Sequence, residues 1–143
     1  NHNIDIELDY KLIKLDSINS FMWIGRGYPY RWISIYKSKK NHFMSNQDSW
    51  FEVENLFNEF MPSVSISDYY RKNEIIHYKN ENRKIMRGIY DHNESLTGGP
   101  FMIYVFDTKI NNEVILVCGF VNNPGKEKLL LIKQLELIAF SIN

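Results

Sequence analysis

The stretch Gly98-Gly99-Pro100-Phe101-Met102-Ile103-Tyr104-Val105-Phe106-Asp107, continued by residues 113–121 and by Asn122-Asn123-Pro124-Gly125, decides the fold. Residues 101–107 read as one strand, opened by a glycine-proline turn. Residues 108–112 form a turn, and residues 113–121 are the returning strand. The Asn-Asn-Pro-Gly break then starts an amphipathic helix that lasts to the end of the chain. Leu131, Leu135, Ile138 and Ile142 line one of its faces. Asn123 is the expected N-cap, and Pro124 suits the first helical position because its missing N–H is not needed there. The unit is a β-hairpin delivered onto a helix. Both of its strands are apolar on both sides, which predicts central places in a sheet.

Upstream, residues 10–15 read as a strand, residues 17–20 as a polar turn and residues 21–25 as a second strand. Gly27-Tyr28-Pro29-Tyr30 is a turn leading into a third strand over residues 31–37. Ile33 and Ile35 take one face of that strand, Trp32 and Tyr36 the other. Residues 37–46 form a basic loop, and Asn46 or Asp48 caps a helix running to Met61. Val53, Leu56, Phe57 and Phe60 give this helix one apolar stripe, and Pro62 ends it. Residues 63–73 read as a connection. Residues 75–79 and 84–91 are a hairpin around a turn at 80–82, and residues 92–97 are a polar loop. The order is βββ-α-ββββ-α, with no repeat, linker or low-complexity segment. The fold class is α+β, a mostly antiparallel sheet whose apolar face two helices must cover. This element order resembles the α/β sandwich of the PsbP-like proteins, the extrinsic photosystem II subunit and its bacterial relatives. It is a fold analogy and carries no function.

Composition narrows the functional classes. Apolar residues make up 44% and aromatics 15% of the 143 residues, enough for one packed domain over the whole chain. Seventeen basic residues balance 17 acidic ones, so the formal charge is zero. A neutral domain lacks the field that draws proteins to phosphate backbones, so no nucleic-acid partner is expected. A neutral surface favours self-association or docking on a partner. Cys118 is the one cysteine, which excludes an internal disulfide and a multi-cysteine zinc site; it reads as a small buried apolar side chain. No stretch approaches the ~20 apolar residues that span a bilayer. The chain opens Asn1-His2-Asn3, not with Met, so it reads as a processed product or part of a longer protein.

The chemistry-bearing residues are sparse. His2, His42, His77 and His92 show no metal-pair spacing, and neither a metal nor a cofactor is expected. Asp91, His92 and Glu94 share one loop, where a weak acid–base or metal site competes with plain solvation. No G-x-S-x-G occurs. The pairs Gly25/Gly27 and Gly98/Gly99 run into strands and not helices, so they read as backbone geometry and not phosphate loops. Tyr28, Tyr30, Arg31 and Trp32, with Lys37, Lys39 and Lys40, interleave aromatics with cations. They fit a stacking site for bases or sugars, a protein-docking surface, or an amphipathic strand with a wet outer face. Arg87 alternates with Ile85 and Ile89, so on a core face it needs a partner such as Asp107 or a helix carboxylate.

Met86-Arg87-Gly88-Ile89-Tyr90, Gly98-Gly99-Pro100-Phe101, Gly119-Phe120-Val121 and Pro124-Gly125-Lys126, through to Gln134-Leu135-Glu136, form one pattern. It resembles the carboxy-terminal half of domain-of-unknown-function family 4837. The likeness runs from about Tyr10 to the end and is specific from about Arg83 onward. Where the family often shows Trp after the Arg-Gly pair, this chain has Ile89-Tyr90, which keeps the bulk. Members are envelope proteins of Bacteroidota, commonly made with a lipoprotein signal peptide. The resemblance therefore implies a lipid anchor upstream of Asn1, an outer-membrane location facing the periplasm or the exterior, and a chain that is the carboxy-terminal part of a longer protein. The family has no assigned activity, so no catalytic residue carries over. Arg87, Gly88, Gly98, Gly99, Pro100, Gly119, Pro124 and Gly125 enter as a family-like structural motif.

The expectation is a non-enzymatic envelope domain that docks, as an accessory or structural subunit, on a larger outer-membrane assembly of proteins. The alternatives are a periplasmic small-ligand binder, with its pocket near Tyr28, Trp32 and the Gly98-Gly99-Pro100 turn, and an enzyme centred on Asp91, His92 and Glu94.

Overall fold

A computed structural model describes residues 1–43 and 49–143. Among them are seven strands and two α-helices: β1 (Lys11–Asp16), β2 (Phe21–Arg26), β3 (Tyr30–Lys39), α1 (Ser49–Phe60), β4 (Val64–Tyr78), β5 (Glu81–His92), β6 (Thr97–Asp107), β7 (Glu113–Asn122) and α2 (Leu129–Phe140). The expected order βββ-α-ββββ-α and α+β class hold. The sheet order is β1-β2-β3-β7-β6-β5-β4, every neighbouring pair antiparallel. β7 stands in the middle with β6 beside it, as their two-sided apolar sequences require. No helix among the described residues is long and apolar enough to cross a membrane.

The helices do not share one apolar face. α1 covers one side of the sheet, packing Val53, Leu56, Phe57 and Phe60 on Phe21, Tyr36, Tyr90, Phe101 and Phe120. α2 covers the other, packing Leu131, Leu135, Ile138 and Ala139 on Ile24, Ile33, Met102, Tyr104, Val117 and Val121. The result is an α/β sandwich with a core on each side. The chain before β1 helps close the second core, to which Ile4, Ile6 and Tyr10 add. Its backbone pairs with the other end of the chain through Asn3 and Asn143.

Several boundaries differ from the sequence reading. β4 begins at Val64, so residues 63–73, read as a connection, are strand; its ladder with β5 shifts between Ile66 and Arg71. That bulge breaks the alternation, and β4 is an edge strand whose polar side chains meet water. β3 runs on to Lys39, paired with Glu113. The β4–β5 turn sits at Lys79 and Asn80, both with positive φ. Gly98-Gly99-Pro100 is not a turn: these residues pair with Asp91, Tyr90 and Ile89 inside β6. Proline is tolerated there because the β7 ladder starts only at Phe101. α2 starts at Leu129, not beside Asn123 and Pro124. The Asn123 amide instead donates to the Glu127 carbonyl, and Gly125 turns the chain at φ +68. The Glu127 carboxylate then accepts from the Leu129 N–H. The expected α1 caps Asn46 and Asp48 lie outside the described residues.

Candidate functional site

Strand alternation divides the Tyr28, Tyr30, Arg31 and Trp32 group between the two faces of the sheet. Arg31 points to the α2 side, where it is 5% exposed and donates to the Gln134 side chain. It makes no ion pair among the described residues. Trp32 points to the α1 side and is half-buried. It sits on Gly25, where an added Cβ would meet the Trp32 ring at 2.5 Å. Tyr28 and Tyr30 are exposed and meet edge-on at 6.2 Å. Lys126 lies over the Tyr28 ring and donates to its hydroxyl at 2.6 Å. Lys37 and Lys40 lie at the far end of β3, bound to Glu113 at 3.1 Å and Asp107 at 2.6 Å. They do not join the aromatic group.

The fold instead brings Trp32 to the β5–β6 hairpin. Its ring centre is 6.0 Å from those of Tyr90 and His92. The buried Tyr90 donates its hydroxyl to the Val121 carbonyl at 3.1 Å, and burial pushes its pKa upward. The His92 Nδ1 accepts from the Ser95 N–H at 3.3 Å and lies 2.9 Å from the Ser95 hydroxyl. Thr97 Oγ1 is 2.6 Å beyond that hydroxyl and takes the Asn122 amide at 3.4 Å. A hollow of about 350 Å³ at this tip is lined by Asp91, His92, Asn93, Leu96, Thr97 and Gly98. Asp91 and Glu94, named with His92 in the enzyme alternative, make no hydrogen bond or ion pair with it among the described residues. His42 meets Glu52 and His77 meets Asn82. No cluster of metal-ligating side chains occurs among the described residues.

Most of the motif residues pack between elements, whereas Pro124 and Gly125 are exposed in the turn before α2. Arg87 pairs with Glu74 at 2.8 Å and with Glu136 of α2 at 2.6 Å, the helix carboxylate anticipated for it. Asp107, the other anticipated partner, binds Lys40 and Lys109. Glu74 is held down to about 2 by its bonds to Lys72 and Arg87. Gly99 has no room for a Cβ against the Val121 carbonyl, and one on Gly119 would meet Leu135 at 2.9 Å. Gly88 lies under Phe101 and Trp50, and Gly98 beside the Tyr90 carbonyl.

Sequence reasoning missed the exposed apolar residues. Leu12, Ile13 and Leu15 of β1 stand out into water with Leu8 and Ile18 beside them, and so do Leu129, Leu130 and Leu137 of α2. The signal was present in α2, whose Leu129-Leu130-Leu131-Ile132 start leaves little polar face.

The fold and these contacts define a class: a small α+β sandwich with one helix on each face, a motif most of whose residues work in packing, and apolar side chains left exposed on an edge strand and a helix. The chain belongs to the family described as Domain of unknown function (DUF4837), whose sequence profile matches residues 1–141. The match thus begins at the first residue, ahead of the Tyr10 from which the likeness was read. No curated protein matches the chain.

Proposed function

We propose that this chain is a non-enzymatic docking domain of the cell envelope, an accessory subunit that binds a larger protein assembly. The observation that carries the reading is β1. It is one of the two edges of the sheet, and Leu12, Ile13 and Leu15 are 59%, 49% and 60% exposed on it. A free edge offers unpaired backbone groups to an extended partner segment, and neighbouring apolar side chains supply the grip. Exposed apolar groups gathered in this way mark interaction sites. The envelope location, with a lipid anchor upstream holding the domain at the outer membrane, rests on the family resemblance. The test is a pull-down of the tagged protein from native membranes in mild detergent, beside a Leu12→Ser/Leu15→Ser variant. A stoichiometric set of proteins recovered with the parent and lost from the variant supports the reading. The same set recovered with both, or the parent recovered alone, defeats it.

A second reading is a small-ligand site at Trp32 and the β5–β6 tip. It is favoured by Asn122, only 8% exposed, whose side-chain oxygen has no hydrogen-bond partner. Soluble sugars that raise the thermal midpoint of the parent, and not of an Asn122→Leu variant, would support it.

A further inference from the structure

The outward ridge of α2 is a second feature, independent of β1. Leu129, Leu130 and Leu137 are 64%, 66% and 71% exposed, although the same helix buries Leu131, Ile132, Leu135, Ile138 and Ala139 on the sheet. A helix that packs on a sheet with one face ordinarily turns polar side chains outward; this one is apolar on both sides. Leu130, Lys133 and Leu137 fall on one stripe, with Leu129 beside its start. Lys126 and Lys128 stand ahead of it. Among nearby carboxylates, Glu136 is buried between Arg87 and Lys133, Glu74 is held by Lys72 and Arg87, and Glu127 gives one oxygen to the Leu129 N–H. Counting Arg87, Lys72, Lys126, Lys128 and Lys133 against these carboxylates and Asp5, which is hydrogen-bonded to Ser141 past the end of the helix, the face is still net positive on a chain whose formal charge is zero. Tyr28, 62% exposed, is tied to the leading end of the ridge by the Lys126 ammonium at 2.6 Å.

We infer that this ridge seats on an anionic lipid surface, with α2 lying in the plane of the headgroups. The leucines enter the acyl boundary, the lysine stems reach back to the phosphates, and Tyr28 brings a ring with a polar tip suited to the interface. A helix of 12 residues is too short to span a bilayer but suits lying on one. A second copy of the chain is a poorer occupant. A two-fold contact centred on this stripe sets Lys133 near its own image and joins two positive faces. An anionic bilayer supplies apolar and negative groups together.

The experiment is flotation of the 143-residue chain with vesicles of phosphatidylcholine, alone and with a fraction of phosphatidylglycerol. The parent is expected to float with the anionic vesicles, less so as salt rises. Leu130→Ser/Leu137→Ser is expected to partition at least about tenfold less, because two apolar side chains no longer leave water. Its thermal midpoint reports whether it stays folded. A second variant, Lys126→Glu/Lys128→Glu, leaves the Lys133–Glu136 pair intact and is expected to lose the anionic preference. Absence of the parent from the anionic vesicles overturns the proposal. So does undiminished flotation of both variants, or a dimer in light scattering that the leucine variant dissolves.

Discussion

Replacing Arg87 by methionine tests whether Arg87, Glu136 and Glu74 act as one buried unit. The Glu136 side chain is 7% exposed and takes Arg87 at 2.6 Å, with Lys133 at 3.0 Å on its solvent side. Removing one partner of a buried pair costs about 3–5 kcal/mol, because the remaining charge is left without compensation. Lys133 remains beside Glu136 in Arg87→Met, so the expected cost lies near the lower end, about 3 kcal/mol. Glu136→Leu leaves Arg87 with the more exposed Glu74, and the expected cost is smaller, about 1–2 kcal/mol. In the double variant no charge is stranded and two apolar side chains face the Ile85 and Leu135 side of the core, so its loss is expected within about 1 kcal/mol. The assay is urea unfolding at neutral pH followed by tryptophan fluorescence, with equal slopes required before midpoints are compared. Arg87→Met alone is expected to lower the thermal midpoint by roughly 10 °C for a chain of this size. If the double variant loses as much as the two single variants together, the three side chains are independent and the argument fails.

Four other outcomes follow from the same contacts. Gly99→Ala drives a methyl into the Val121 carbonyl, so it is expected to lose more than about 2 kcal/mol in chemical denaturation. Trp32→Ala empties the contact with Gly25, Tyr90 and His92 and is expected to cost about 2–3 kcal/mol, whereas Tyr28→Ser stays within about 0.5 kcal/mol; equal losses in calorimetry would contradict the burial of Trp32. Glu74 has a folded pKa of about 2 against an ordinary 4.5, so its contribution is full above 4.5 and fades as pH falls toward 2. Solvent screening limits that contribution to about 1 kcal/mol, and parent and Glu74→Gln stabilities should converge through this window; a constant gap would count against the ion pairs. Cys118 is fully buried with its thiol pushed up to about 12. It should react with a maleimide only as fast as the protein unfolds, and prompt labelling of the native chain would show the core to be open.

The fold class was legible because the decisive elements carry their own patterns. β6 and β7 are too apolar on both faces for anywhere but the middle of the sheet, and the α1 stripe from Val53 to Phe60 leaves one packing solution. The parts that were misread share a physical cause: local signals overruled by pairing. Gly98-Gly99-Pro100 has turn composition, yet β5 on one side holds it extended. Residues 63–73 look like a loop because an edge strand with a bulge needs no strict alternation. Pro124 and Asn123 suit a helix start, but the positive φ of Gly125 delays the helix to Leu129. The candidate surface was legible in residue type and not in direction. A strand sends neighbours to opposite faces, so Arg31 and Trp32 were never going to share a surface. The requirement for a partner to Arg87 was readable, since a charge between Ile85 and Ile89 must be compensated. That Glu136 answers it depends on where α2 crosses the sheet.

That crossing also explains why the apolar ridge faces outward. Gly119 lies beneath Leu135, close enough that a methyl would have to displace the helix. Leu135 is therefore fixed inward. One turn on, Ile138 and Ala139 follow it to the sheet, and Glu136 is turned toward Arg87. With those positions set, the 100° step of the helix leaves Leu130, Lys133 and Leu137 no direction but away from the sheet. The exposure of these leucines is not loose packing that a small rotation could relieve. Turning them inward would lift Leu135 from Gly119, strand Glu136 away from its cations and bring Lys133 toward the core. The helix is locked from below, and the ridge can leave water only by contact with something outside the domain.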